Sequence, residues 1–242
     1  MKRTLLLTIV VGGCVALLAA CSGRSSRTSQ PAETPYAPVI DPANFIAGVD
    51  NPYFPLKPGT TFVYEGKTEK GNEHNEAYVS FETKVILGVT CLVVSDTVKV
   101  DGVLEEATLD WYAQDKQGNV WYFGEDSKEY KGGKVVSTKG SWEGGVKGAL
   151  PGIVVEANPK VGDTYRQEYY KGEAEDMASV EGLSESVSVP YGSYSDLLMT
   201  KEWSALDSPP VFENKYYAKG VGFLMTKGDQ TGELKLVGIR HE

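Results

Sequence analysis

From Thr60 onward, the apolar and polar positions fall into short β-prone runs rather than helical stripes. Thr61–Glu65, Glu76–Leu87, Thr90–Val100, Leu104–Ala113, Val120–Phe123 and Thr164–Tyr170 are rich in Val, Thr, Tyr, Phe and Trp. Leu197–Trp203, Val211–Tyr217, Phe223–Lys227 and Glu233–Ile239 have the same character. β-Branched and aromatic side chains at alternate positions fit a pleated surface with two faces, so each run predicts a strand. The breaks between the runs are turn chemistry: Lys70-Gly71-Asn72, Asp101-Gly102, Gln117-Gly118-Asn119, Gly132-Gly133, Lys227-Gly228-Asp229 and Thr231-Gly232. Such pairs suit hairpins that need positive φ. Strands this closely spaced leave no room for crossover helices and predict an antiparallel meander. The expected fold is all-β with minor α, a meander forming a curved sheet, a half-barrel or a barrel. No helical period is sustained. Glu173–Val180 is expected as a short acidic turn or helix, and Asp196–Leu198 as one further helical turn.

The first sixty residues read differently. Lys2 and Arg3 precede an apolar run from Leu5 to Leu18, and Leu18-Ala19-Ala20 offers the small side chains a signal peptidase accepts. The run is short for a span of about 20 residues, and Gly12-Gly13 interrupts it. With Cys21 directly after Ala20, the segment resembles the bacterial lipoprotein signal, the lipobox. That resemblance implies cleavage before Cys21, diacylglycerol on its sulfur and a second acyl group on the new amine. Two or three acyl chains hold a protein stably, at about 0.8 kcal/mol per buried methylene. By the same resemblance, Ser22 in place of Asp favours an outer membrane or outward-facing surface over inner-membrane retention. Ser22 to Pro31 is a polar tether. Pro31, Pro35, Pro38, Pro42, Pro52, Pro55 and Pro58 then give an extended linker leading into the first strand. The expected division is a signal over 1–20, a flexible tether and linker over 21–50 and one β-rich domain over 51–242.

The chain of 242 residues has a formal net charge of −9. Removing Lys2 and Arg3 with the signal leaves 22 basic and 33 acidic residues, a net of −11. That balance argues against nucleic acid and against a polybasic membrane patch. Of the three cysteines, Cys14 lies in the signal and Cys21 at the lipidation position, so Cys91 has no partner for an intrachain disulfide. Its neighbours Val89, Leu92, Val93 and Val94 mark it as a buried small hydrophobe.

Several stretches of the domain resemble a family of uncharacterised secreted or lipid-anchored bacterial proteins. Asn51-Pro52-Tyr53-Phe54-Pro55-Leu56-Lys57-Pro58-Gly59-Thr60 looks like its opening signature. Asp110–Asp115 followed by Gly118–Glu125 looks like its central hairpin. Pro190–Tyr194, with Lys215–Gly222, looks like its closing pair. The resemblance covers most of the domain and implies no particular activity. A looser similarity, to the open β half-barrels of periplasmic carriers, concerns topology alone.

Two constellations are candidates for chemistry. In the hairpin Asp110–Glu125, alternation places Leu109, Trp111 and Ala113 on one face and Asp110 and Tyr112 on the other. After the turn, Trp121, Phe123 and Glu125 share a face, with Val120 and Tyr122 opposite. The Trp face is expected to be core. Asp110, Tyr112 and Tyr122 are expected on a partly exposed face that could line a groove for a sugar or amphiphile; a plain core hairpin is the competing reading. The second set is Arg166, Glu168 and Tyr170 on one strand face, with Thr200, Glu202, Glu213, Lys215 and Tyr217 as counterparts. It is expected as a solvated face stitched by cross-strand ion pairs, with a polar interior cavity as the alternative.

Catalytic signals are weak. His74, in a loop-like stretch, and His241 lack metal-ligand spacing, and no nucleophile elbow, phosphate loop or dinucleotide fingerprint occurs. No cofactor, metal or catalytic residue is assigned. The expectation is a non-enzymatic, lipid-anchored extracytoplasmic protein of the bacterial envelope that binds a small amphiphilic or sugar-like ligand. Asp110, Tyr112, Tyr122, Arg166, Glu168 and Glu202 are its candidate ligand-binding residues. The alternatives are an envelope structural protein acting through a protein partner, and a hydrolase using paired carboxylates such as Asp110, Glu125, Glu168 or Glu202.

Overall fold

Three tight turns set the register of the first half of the sheet. At Leu87-Gly88, Asp101-Gly102 and Gly132-Gly133 both central residues have positive φ, from 47° to 81°, the conformation whose twist matches that of paired strands. The computed structural model describes residues 35–68, 70–228 and 232–242. A 3-10 turn at Pro42–Asn44 leads into β1 (Phe45–Ile46), β2 (Thr60–Thr68), β3 (Gly71–Ile86), β4 (Val89–Val100), β5 (Val103–Asp115) and β6 (Val120–Lys131). Three short strands follow: β7 (Lys134–Ser137), β8 (Trp142–Glu143) and β9 (Leu150–Val155). Then come β10 (Thr164–Arg166), β11 (Glu168–Tyr169), β12 (Asp176–Val189), β13 (Gly192–Ser204), β14 (Glu213–Ala218), β15 (Gly222–Gly228) and β16 (Gly232–His241).

The strands join one antiparallel sheet, nearly closed into a barrel, in the order β10-β12-β13-β14-β15-β16-β2-β3-β4-β5-β6-β9-β11, with β1 pairing with β5 and both β7 and β8 pairing with β6 off this path. Its two ends are consecutive in the chain. β10 pairs with β12, β11 pairs with β9, and only Gln167 separates β10 from β11. The chain therefore steps from one sheet edge to the other in a single residue, and the edges that would template aggregation are brought together. At this seam the Gln167 backbone N–H donates to the Asp176 carbonyl at 2.9 Å, and the Tyr165 hydroxyl donates to the Val154 carbonyl at 3.4 Å. Gly152 lies so close to the Gln167 backbone that a Cβ would collide with it.

The barrel wall has two covered faces. Inside, Phe62, Tyr64, Val79, Leu92, Tyr112, Tyr122, Leu198, Tyr217 and Phe223 pack around a plug formed by Val49, Tyr53, Phe54 and Leu56. The Phe54 ring stands 5.4 Å from Tyr112 and 6.4 Å from Tyr217, bridging opposite walls. Gln114 fixes the plug, its Oε1 accepting the amides of Asp50 and Asn51, each at 2.8 Å. Outside, Cys91, Val93, Trp111, Ala113 and Phe123 form a second cluster, covered by Ile40 and Phe45.

All ten predicted strand runs fall on observed strands, and the all-β antiparallel architecture is as expected. Several details differ. Both predicted helical segments are extended: β12 begins at Asp176, after a turn through Lys171–Glu173, and Asp196–Leu198 lies inside β13. Asp196 instead takes a positive φ of 54° at a register shift. His74 lies in β3 rather than in a loop. Residues read as linker also join the fold, since β1 pairs with β5 and the Tyr36 hydroxyl donates to the Pro151 carbonyl at 2.8 Å. The signal and the lipidation position Cys21 lie outside the described residues.

Candidate ligand-binding interior

Strand pairing divides the barrel interior into an apolar, plugged half and a polar half. On β3 the inward residues run Val79, Ala77, Asn75, Glu73, and on β4 they run Leu92, Val94, Asp96. β5 contributes Tyr112, Asp110 and Thr108 in register with Leu92, Val94 and Asp96. β6 places Tyr122 opposite Tyr112, Glu125 opposite Asp110 and Ser127 opposite Thr108. Each strand thus carries apolar residues at the plugged end and acids or amides toward the other.

The tyrosines form the floor between the two halves. Tyr112 and Tyr122 stack with centroids 4.9 Å apart, and Trp142 stands edge-on to Tyr122 at 5.4 Å. The Tyr122 hydroxyl donates to Asp110 Oδ1 at 2.6 Å. One strand step further out, the Asn75 amide donates to Asp96 Oδ1 at 2.6 Å. The second oxygen of each aspartate, Asp96 Oδ2 and Asp110 Oδ2, has no protein donor, and neither has Glu73 Oε1. Their exposures are 4% for Asp96, 0% for Asp110 and 7% for Glu73. Burial holds the carboxyls of Asp96 and Asp110 well above the usual carboxylate range. The charge of Asp110 raises Asp96 further, while the Tyr122 hydrogen bond offsets part of the shift at Asp110. Burial pushes Glu73 up to about 7, and the charges of Glu106 and Glu213 add to the rise. Low-dielectric surroundings disfavour the charged form, and neighbouring like charges compound the effect.

The facing wall carries a buried cation. Lys215 lies 2.8 Å from Glu202 Oε2 and 3.3 Å from Glu213 Oε1, an ion triad that is almost wholly buried although neither approach has hydrogen-bond geometry. Glu202 Oε1 accepts from Thr200 at 2.8 Å and from Tyr217 at 3.2 Å.

The predicted site residues divide accordingly. Asp110, Tyr112 and Tyr122 come together, but the partly exposed face expected for them is wrong: they are among the deepest residues of the barrel. The expected core face is buried too, at Trp111 and Phe123, with Trp121 half-buried and donating to Asp115 at 2.9 Å. Alternation defines two faces without saying what covers either; here the N-terminal segment covers the outer one. Glu202 lies inside the barrel, so the solvated face expected for Thr200, Glu202, Glu213, Lys215 and Tyr217 gives way to a buried one. Arg166 and Glu168 do not share a strand face, because Gln167 carries the chain between opposite sheet edges. Arg166 lies at the seam, 3.6 Å from Glu175 and beside the Tyr169 ring. Glu168 is buried and accepts the Trp142 indole N–H at 2.8 Å.

Glu73, Asn75 and Asp96 escaped the sequence reading. The usable signal was parity: Glu73 and Asn75 share it with Ala77 and Val79, and Asp96 with Leu92 and Val94. Among the described residues no group of three or more His, Cys, Asp or Glu is placed to hold a metal ion. Cys91 is a buried free thiol, pushed up to about 12 by burial and so unreactive as a nucleophile. A gap of about 20 Å³, room for little more than one water, opens between plug and wall at Phe54, Leu56, Phe62, Tyr64 and Phe223.

The fold and this interior define a nearly closed antiparallel β-barrel with a buried carboxylate cluster. No protein-family model and no curated protein matches the chain. Two solved structures are similar in outline. A protein from Bacteroides fragilis, described as exported and of YmcC-like fold, aligns with a TM-score of 0.43 at 14% identity, over 78% of this chain and 98% of its own. A protein from Parabacteroides distasonis, described as a lipoprotein, aligns with a TM-score of 0.42 at 12% identity, over 78% and 98% of the two chains. Similarity at this level assigns neither family nor activity.

Proposed function

We propose that the protein is a lipid-anchored, extracytoplasmic binding protein whose barrel holds a small polar ligand against the carboxylates of β3, β4 and β5. The anchor rests on the lipobox-like run ending at Cys21. Ligand binding rests on one observation: Asp96 Oδ2, Asp110 Oδ2 and Glu73 Oε1 are buried with no protein donor. Buried polar groups almost always have hydrogen-bond partners, and each exception asks for an explanation. A donor-rich ligand supplies one. The amphiphile reading is the weaker, because the apolar half is filled by the plug. The test is native mass spectrometry of the full chain released from membranes in a non-ionic detergent. A co-purified small molecule, lost in Asp110→Asn, is the expected result. A bare protein mass under conditions that preserve a control complex refutes the reading.

A further inference from the structure

We infer that the ligand is an aliphatic organic cation of the diamine or polyamine class, seated with one ammonium between Asp96 and Asp110. This deepens the binding reading above and rests on it.

Charge separates a cation from a neutral sugar. On the β3–β5 wall, the inward carboxylates with an oxygen that meets no donor are Glu73, Asp96 and Asp110, and the cation that acts on them is the exposed Lys70, near Glu73. The ammonium of the facing wall, Lys215, is already held between Glu202 and Glu213. Buried carboxylates in excess of cations are costly and must be met by protons or by a bound positive charge. Asp96 and Asp110 sit diagonally on adjacent strands, because Asp96 pairs with Thr108 and Asp110 with Val94. Diagonal neighbours of this kind lie within reach of a single group placed between them. Each has one oxygen fixed by a protein donor, Asn75 or Tyr122, and the other without one. An ammonium has three donors and no acceptor, which suits two vacant carboxylate oxygens.

Two observations point to an aliphatic amine rather than a metal ion. No triad of ligating side chains is assembled among the described residues. In addition, Val98 and Val100, which share the inward parity of Asp96, are half-buried. Burial declines along this path from Asp110 through Asp96 and Glu73 to half-buried Glu106. A methylene chain would follow the valines outward, and a second ammonium would meet Glu73 and Glu106.

Isothermal titration of the full chain in non-ionic detergent tests this, with 1,5-diaminopentane and spermidine as cations, 1,5-pentanediol as neutral isostere and Ca²⁺ as metal. Saturable 1:1 binding of a polyamine at pH 7.5 is expected, with proton release on binding and affinity at least tenfold lower at pH 5.5. Asp96→Asn and Asp110→Asn should each weaken it at least tenfold. Glu73→Gln, nearer the mouth, provides an independent variant and should weaken spermidine severalfold. Equal binding of 1,5-pentanediol overturns the cation while leaving the binding reading intact. Tighter binding of Ca²⁺ than of either amine, sensitive to the same variants, overturns the aliphatic assignment. Absence of amine binding, or binding indifferent to all three variants, overturns the inference even where mass spectrometry shows another ligand; the cluster is then filled by water and protons alone.

Discussion

Replacing Glu73 with Gln should stabilise the protein at alkaline pH. The side chain is 7% exposed, and burial, with Glu106 and Glu213 nearby, raises its carboxyl from 4.5 to about 7. Between these two values the folded protein binds more protons at this site than the unfolded chain does. Stability from this group is therefore greatest below about pH 4.5, falls as pH rises and levels off above about 7. At about 1.36 kcal/mol per pH unit, the shift corresponds to a loss of about 3 kcal/mol in all, of which about 2.5 falls between pH 5 and pH 8. Gln has nearly the same shape and does not titrate, so Glu73→Gln removes that part of the slope. Asp96 and Asp110 titrate in both proteins and largely cancel in the difference. Urea unfolding at several pH values, with m held as a check on the unfolded state, gives the comparison. The variant should gain on the wild type by about 2.5 kcal/mol from pH 5 to pH 8, or about 5–10 °C in Tm for a domain of this size. A fixed cost of burying an amide would displace the two curves by a constant and leave the divergence intact. Parallel curves across this range would refute the burial argument for Glu73, and with it the picture of an acid cluster held in low dielectric.

Two further outcomes rest on the packing and one on the sequence. Tyr122→Ala should cost about 3–5 kcal/mol, as core aromatic deletions do, while Trp121→Ala, which opens a half-buried site, should cost less than half as much; the reverse order of urea midpoints would place the core on the other face. Lys215→Met should cost about 3–5 kcal/mol by removing the ammonium between Glu202 and Glu213; a urea midpoint equal to that of the wild type would show that the ion triad does not hold the interior together. Cys21→Ser should abolish incorporation of an acyl analogue in metabolic labelling and release the chain from membranes or stall its precursor; labelling that survives would remove the anchor from the account.

Much of the barrel could be read from the sequence because its strands are locally consistent. Val and Thr dominate runs such as Thr90–Val100, and the turn at Asp101-Gly102 suits the positive φ that its hairpin requires. β12 was not legible: Asp-Met-Ala-Ser-Val-Glu-Gly-Leu-Ser-Glu-Ser has little β propensity and gains its structure from the long partner β13. The burial of both hairpin faces was not legible either. It depends on Ile40 and Phe45, which lie in a proline-rich stretch with the composition of a linker. The closure at Gln167 is invisible to any local pattern, because a two-strand step reads as one continuous run from Thr164 to Tyr170.

The candidate site shows the same limit from the other direction. Alternation correctly grouped Asp110 with Tyr112, and Glu202 with Thr200, but the usual expectation that acids face water assigned both groups outward. In an open sheet that expectation holds, since one face is wet. In a barrel the inward positions of every strand share one enclosed space, and acids spaced along different strands converge there without any sequence motif. Asp96 illustrates the point. It lies two positions beyond Val94 on the inward face of β4, and only the register with Thr108 and the diagonal approach of Asp110 turn it from a solitary strand acid into half of a carboxylate pair. The chemical character of this protein is thus set by closure of the sheet rather than by any single segment, so variants that open the seam at Gln167 should lose the site before they lose their strands.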